Sequence, residues 1–289
     1  MQRYRCNDCK RLFNALNSPD LAQIWADYAL GKQTYAQLAE RYCCSVRTIQ
    51  RHLQKSPKMP FNDNLPKRVN IVMDTTFFGR QFAVMVLMDS ITKRVISYAI
   101  LRSEKNEHYF NAISMLQRKG IIIQSITCDG RRGLLQKHPS IPTQMCHFHQ
   151  IARMRFYLTH RPKNEAAKQL KALVKTLKFS DKKTFENGLA NWLATYQNYL
   201  DERSETSEKG RKRFKHPRLR SAYLSLKRNL PYLFAFETKA EFEIEKTTNR
   251  LEGLFSELKR HLSAHNGLSK ENKCMFIKDF MNRKSWFSG

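Results

Sequence analysis

Acidic side chains are scarce in this sequence of 289 residues. It has 25 Asp and Glu against 52 Lys and Arg, which leaves a net charge of +27. An excess of that size repels itself and calls for a polyanionic partner, with nucleic acid the default; the alternative is a solvated basic surface. No run of about 18 apolar residues occurs, which excludes a membrane-spanning helix. The opening Met1-Gln2-Arg3-Tyr4-Arg5-Cys6 has no signal-peptide core. The cysteines are odd in number and scattered, at 6, 9, 43, 44, 128, 146 and 274. In a chain this long, that argues against a disulfide scaffold and for a reducing, cytoplasmic compartment. Internal repeats and low-complexity tracts are also absent.

Apolar material is plentiful: 41% of residues are hydrophobic and 11% aromatic, enough for packed cores. The length suits a catalytic domain of about 150–220 residues with one small domain. Charge is uneven. Residues 1–70 hold 12 basic and 5 acidic side chains, residues 71–145 hold 10 and 5, and residues 146–289 hold 30 and 15. The middle segment is the least basic and the most strand-like, whereas the last is helical and carries most of the excess.

Residues 1–15 read as a short knuckle turning at Cys6-Asn7-Asp8-Cys9. Ser18-Pro19 is a helix start, with Leu21, Ile24, Trp25 and Tyr28 at helical spacing and Gly31 as the stop. Thr34 caps a second helix, with Gln37 as its capping-box partner, and Leu38, Ala39 and Tyr42 lie along it. Cys43-Cys44 forms a turn, and Ser45 caps a third helix carrying Val46, Ile49 and Leu53. Residues 16–56 therefore predict a small all-α helix-turn-helix domain. Its third helix projects Arg47, Thr48, Gln50 and Arg51, side chains suited to base edges and phosphates; the alternative is a three-helix bundle that binds nothing. Residues 57–68, rich in Pro and Asn, read as a linker.

Strands are expected at Val69–Asp74, Gln81–Asp89, Val95–Leu101, Ile121–Asp129 and Thr143–His147, with a helix over Glu107–Lys119. From about 148 onward nearly everything reads helical, over 163–178, 181–201, 217–229, 247–264 and 270–283. Ser204–His216 reads as a mobile basic loop. Three strands in a meander, a helix and two further strands is the order of an RNase H-like α/β sheet. The domain is expected to run over 69–289, with a helical insertion over about 150–245.

Two acids fall at apolar strand ends: Asp74 after Ile71-Val72-Met73, and Asp129 after Ile126-Thr127-Cys128, ahead of Gly130. If those strands are neighbours, the carboxylates sit side by side and repel unless a divalent cation holds them. Glu252 lies on the helical stretch Thr247-Thr248-Asn249-Arg250-Leu251-Glu252. Asp-Asp-Glu around two Mg²⁺ or Mn²⁺ ions is the hardware of phosphodiester chemistry. Glu257 is the rival third ligand, facing away from Glu252 on the same helix. Taken singly, each acid is also an ordinary loop cap or an exposed helical residue.

In these stretches the chain resembles DDE transposases of the Mutator superfamily, in the bacterial insertion-sequence branch. The resemblance rests on Met73-Asp74-Thr75-Thr76-Phe77-Phe78-Gly79, on Cys128-Asp129-Gly130 followed by Cys146-His147-Phe148-His149, and on Asn249-x-x-Glu252. It implies Asp74, Asp129 and Glu252 as catalytic Mg²⁺ ligands in an RNase H-like core. It also implies cutting at the inverted repeats of a mobile element, with 3′-hydroxyl transfer into target DNA, by a homo-oligomer on double-stranded DNA at the bacterial nucleoid. The Cys146 and His149 pair matches the family's Cys-x-x-His signature, while by itself it reads as a structural pair, since two ligands do not make a zinc site. Cys6 and Cys9 resemble half of a zinc ribbon. Either the chain begins inside the ribbon or the pair is vestigial, so Zn²⁺ binding is not expected of it as it stands. Arg131 and Arg132, and Lys209, Arg211, Lys212, Arg213, Lys215 and His216, suit a DNA backbone or are solvated loop charge. Trp192, Tyr196 and Tyr199 read as helical core rather than a base-stacking platform. A catalytically idle derivative that only binds DNA is the competing reading.

Overall fold

The computed structural model describes residues 3–14, 20–204, 212–265 and 268–286. Ser18-Pro19, Lys209 and Arg211 lie outside the described residues. The chain divides into two compact units: Met1–Pro60 with Glu257–Arg283, and Phe61–Ser256 with Lys284–Gly289. No described helix is long and apolar enough to cross a membrane.

The first unit opens with an antiparallel hairpin of β1 (Arg3–Arg5) and β2 (Leu12–Asn14). The Cys6–Cys9 turn joins them, closed by the Cys6 N–H on the Arg11 carbonyl at 2.9 Å, with Lys10 at φ 57°. Helix α1 (Leu21–Ala29) starts at Asp20, whose carboxylate accepts the Ala22 N–H. Thr34 and Gln37 form the capping box of α2 (Tyr35–Arg41), and Ser45 caps α3 (Val46–Lys55). Ile24, Trp25, Tyr28, Leu38, Ile49 and Leu53 are buried. Val46 is exposed instead, although its spacing puts it in line with Ile49 and Leu53; it is the first residue of α3, at the end of that stripe. The buried Asp27 ties α1 to α2, accepting from the Tyr42 hydroxyl at 2.8 Å and pairing with Arg41 at 3.0 Å.

Residues 257–283 share this unit rather than belonging with everything from 69 onward. The aromatic face of α1 accounts for the difference. The Tyr28 ring lies 4.1 Å from His265, and Trp25 lies 6.5 Å from Phe276 of α11 (Lys270–Trp286). The Met59 N–H also donates to Asp279 at 2.9 Å.

The second unit is α/β, with a mixed five-stranded sheet. Its strands are β3 (Arg68–Phe78), β4 (Phe82–Asp89), β5 (Val95–Leu101), β6 (Ile122–Cys128) and β7 (Thr143–Met145), in the order β5-β4-β3-β6-β7. The first three form an antiparallel meander, and β6 and β7 add in parallel. Helix α4 (Asn106–Arg118) makes the crossover to β6, as a parallel connection requires, and Gly120 follows it at φ 80°.

Strand β3 corrects one expectation. It does not stop at Asp74 but runs four residues further, because Thr75-Thr76-Phe77-Phe78 are strong strand formers. They pair with β4 as far as Phe78 opposite Phe82, whose rings stack at 5.0 Å before the turn at Gly79.

Beyond β7 come α5 (His147–Leu158), α6 (Glu165–Thr176), α7 (Lys182–Asp201), α8 (Pro217–Leu233), α9 (Ala235–Thr238) and α10 (Asn249–Ser263). Trp192 is core here: its indole N–H donates to the Ala166 carbonyl at 2.9 Å, and its ring packs on Tyr196 and Tyr223. Tyr199 stacks on His216 at 3.7 Å. The ends of the basic loop meet at an Arg203–Phe214 bridge, where Arg203 and Arg220 cover the Phe214 ring. Lys212 and Arg213 are exposed just inside that bridge.

Candidate active site

Strands β3 and β6 are parallel neighbours, with Val72 opposite Thr127. Two residues further on, the same register brings Asp74, in the middle of β3, level with Asp129, the first residue past β6. Both carboxylates are half-buried. Burial pushes Asp74 up to about 6 from an ordinary 3.8. The Thr75 N–H, 2.8 Å from its carboxylate, and nearby His149 pull the other way, while Asp129 and Glu104 add repulsion.

Nothing in its sequence context marks Glu104. It sits between β5 and α4, accepts the Tyr109 hydroxyl at 2.8 Å and pairs with Arg131. Tyr109 in turn lies 2.6 Å from the Thr75 hydroxyl. The available signal was scarcity: residues 71–145 hold 5 acids, and Asp74, Glu104 and Asp129 act on one another.

Arg131, expected either to face a DNA backbone or to be solvated loop charge, pairs with the Glu104 carboxylate and donates to the Glu104 carbonyl at 2.9 Å. The pairing follows from position, since a carboxylate within reach outcompetes water for a guanidinium already half-buried. Arg132 is exposed. Between them and Asp129, Gly130 has no room for a side chain: a Cβ there would lie 2.1 Å from the terminal methyl of fully buried Met145. Gly130→Ala is expected to destabilise this unit by about 1–3 kcal/mol, lowering its urea midpoint. An unchanged midpoint would show that Met145 turns aside freely.

Cys146 caps α5, and its N–H extends the β6–β7 pairing by donating to the Cys128 carbonyl at 2.8 Å. Its Sγ accepts the Thr248 N–H at 3.3 Å and faces the Thr248 hydroxyl at 3.4 Å. The same hydroxyl lies 3.4 Å from His149 Nδ1. Burial alone would raise the Cys146 thiol, but hydrogen bonds from His149 and Thr248 outweigh it and bring it below its ordinary value. His149 is raised to about 9, first by its hydrogen bond to Cys146, against its own burial, with Cys146, Asp74 and Asp129 adding negative potential. The site thus holds a cationic imidazole beside two carboxylates.

Glu252 is half-buried on the first turn of α10, where the Thr248 carbonyl accepts its N–H at 3.2 Å. It belongs to the same compact unit as Asp74 and Asp129, whereas its rival Glu257 falls in the other. Asn249 opens α10 and is exposed. Among the described residues, no three His, Cys, Asp or Glu side chains converge tightly enough to hold a metal ion as they stand. The Asp74 and Asp129 pair nevertheless fits a hard divalent cation by its chemistry: both are oxygen donors, and Asp74 is held against its own ionisation, a cost that a cation would remove.

In the first unit, Arg47, Gln50 and Arg51 of α3 are exposed. Thr48 is committed to the helix start, its hydroxyl 2.9 Å from that of Ser45 and in reach of Arg51. The Cys6 thiol is held low by the N–H groups of Cys9 and Asp8 aimed at it across the hairpin turn. Cys6 and Cys9 supply two of the four ligands that a zinc ribbon requires. No protein-family model matches the chain, and comparison with curated proteins also finds no match.

Proposed function

We propose that this protein is a DDE transposase that cuts DNA at the ends of an inverted-repeat element and transfers the freed 3′-hydroxyl into target DNA. One observation carries the reading: Asp74 and Asp129 lie level on neighbouring parallel strands, and Asp74 resists ionisation. A basic chain keeps few carboxylates, and burying one beside another is costly unless a cation is its partner. The meander followed by two parallel strands supports an RNase H-like core, and α5 to α9 support a helical insertion ahead of Glu252.

Asp74 and Asp129 would hold Mg²⁺ or Mn²⁺, with Glu252 closing from α10. When bound, such ions activate an oxygen nucleophile and stabilise the leaving oxygen. The chain's own groups do the rest. His149 offers positive charge beside the carboxylates, where a phosphate must come to rest. Glu104 keeps Arg131 close to the same edge. Lys212 and Arg213 offer charge to the DNA backbone. Transposition joins two element ends, so the reading includes a homo-oligomer on DNA, in the bacterial cytoplasm.

Helices α2 and α3, joined by the turn at Cys43-Cys44, support a helix-turn-helix whose exposed Arg47, Gln50 and Arg51 read the ends. Arg47→Ala with Arg51→Ala is expected to weaken end binding and lower the slope of log K against log salt by about 2. An unchanged slope in a salt titration would remove α3 from the interface. The reading as a whole is tested by incubating the protein with Mg²⁺ and labelled DNA from both flanks of its gene. The expected products are nicks or breaks at inverted repeats and joined strands. Tight binding without either product would favour a derivative that only binds DNA.

A further inference from the structure

Cys146 has no role in the chemistry proposed above and His149 lends it only charge, yet both meet the segment that leads into Glu252. Residues 245–248 have no regular secondary structure and are held by individual bonds to the end of the sheet. The Thr127 hydroxyl donates to the Glu245 carbonyl at 2.8 Å, and the His147 N–H donates to the Lys246 carbonyl at 3.0 Å. Thr248 closes the series, with its N–H and hydroxyl on Cys146 Sγ and its hydroxyl beside His149. Cys146 and Thr248 are both fully buried.

Two other uses of the thiol do not fit. A nucleophile needs access, and Cys146 has none. A metal site needs more ligands than this pair supplies, and none is added among the described residues. What remains is an acceptor with donors aimed at it from Thr248, through its N–H and hydroxyl, and from His149. The Thr248 carbonyl also accepts the N–H of Leu251 at 2.9 Å and of Glu252 at 3.2 Å. Holding Thr248 therefore sets where the first turn of α10 begins, one helical turn before Glu252.

We propose that Cys146 and His149 are positioning residues that act through Thr248 to fix the first turn of α10, and with it Glu252, at the sheet edge that bears Asp74 and Asp129. The inference rests on the reading of Glu252 as a cation ligand. It gives the Cys-x-x-His spacing a mechanical reason. Cys146 ends the β7 connection, so its thiol is fixed relative to the sheet, and His149 stands on the first turn of α5, facing the same threonine.

The test reads Mn²⁺ binding by the full-length protein without DNA, followed by the loss of the free-ion paramagnetic resonance signal. Glu252→Gln is expected to weaken binding about 10- to 100-fold. Thr248→Val, which keeps the side-chain shape but loses the hydroxyl, is expected to weaken it about 10-fold, with Thr248→Ser restoring it. The Thr248→Val, Glu252→Gln double variant should bind no more weakly than Glu252→Gln alone, because both act through one carboxylate. If Thr248→Val does not fold, Cys146→Ala replaces it in the same cycle. Parental binding by Thr248→Val or Cys146→Ala, or losses that add in the double variant, would overturn the positioning role alone. Parental binding by Glu252→Gln would overturn the reading of Glu252 as a ligand, and this inference with it.

Discussion

Asp74→Asn is expected to raise the melting temperature of the metal-free second unit at pH 7.5 and to abolish DNA cleavage. Asp74 releases its proton near 6 in the folded chain instead of 3.8, so the folded state binds that proton more tightly than the unfolded state does. Its favourable contribution is complete below about pH 4 and is lost as pH rises through 6. At pH 7.5 the carboxylate is charged and its burial is uncompensated. The interval corresponds to roughly 3 kcal/mol, of which about 2 is a fair share for a half-buried group. Asn removes the charge and keeps an oxygen for the Thr75 N–H. A gain of roughly 4–8 °C follows for a unit of this size. If Asp74 anchors the metal as proposed, cleavage should fall by roughly 10³-fold or more, since losing such an anchor costs several kcal/mol in the transition state. Thermal melts in chelator at pH 4 and pH 7.5, run beside a cleavage assay, decide the matter. Mn²⁺ should stabilise the parent and leave the variant unchanged. A gain of equal size at pH 4 would show that the effect is not ionisation, and parental cleavage would remove Asp74 from the site.

The local elements were legible because they depend on local chemistry. The Thr34 and Gln37 capping box and the Ser45 cap read straight from side-chain types that compete for helix N–H groups. Strand β4, apolar from Phe82 to Met88, is buried along its whole length, as a central strand of a covered sheet should be. What the sequence did not reveal is partnership at a distance. Asp74 reads as a strand end because apolar residues stop there, yet Thr75–Phe78 continue the strand by pairing with β4. Trp25 and Tyr28 read correctly as buried, but the rings of His265 and Phe276 that cover them come more than 200 residues later. Periodicity says which face is covered and not by what.

The site divides the same way. The meeting of Asp74 and Asp129 could be anticipated, because a meander with a helical crossover brings the first strand beside the fourth. Glu104 could not, since it stands in a connection with no periodic pattern. Its place depends on Tyr109 and Arg131 reaching it from either side. Arg131 is the counterpart among basic residues: its pairing with Glu104 appears only once the chain is folded. The Cys146 and His149 spacing was visible in the sequence, but Thr248, about 100 residues away, gives it meaning only once folded.

Phe276→Ala should melt the first unit selectively and, on the proposed function, cost it DNA binding. Residues 1–60 form a hairpin and three helices, too little chain to bury a sizeable core by itself. Trp25 and Tyr28 are almost fully buried, and Phe276 and His265 supply part of that cover. The Lys58 ammonium, 3.8 Å from the Trp25 ring, covers more of it. Removing a fully buried phenyl ring costs about 3–5 kcal/mol, a large fraction of the stability of a unit this small. Calorimetry should then show an early transition for the first unit and a second transition near its parental temperature. Affinity for DNA should fall with the first transition, because α3 cannot hold Arg47 and Arg51 in place once its support melts. A fragment of residues 1–60 that melts cooperatively by itself would contradict this division of the chain. So would a Phe276→Ala variant that loses no stability.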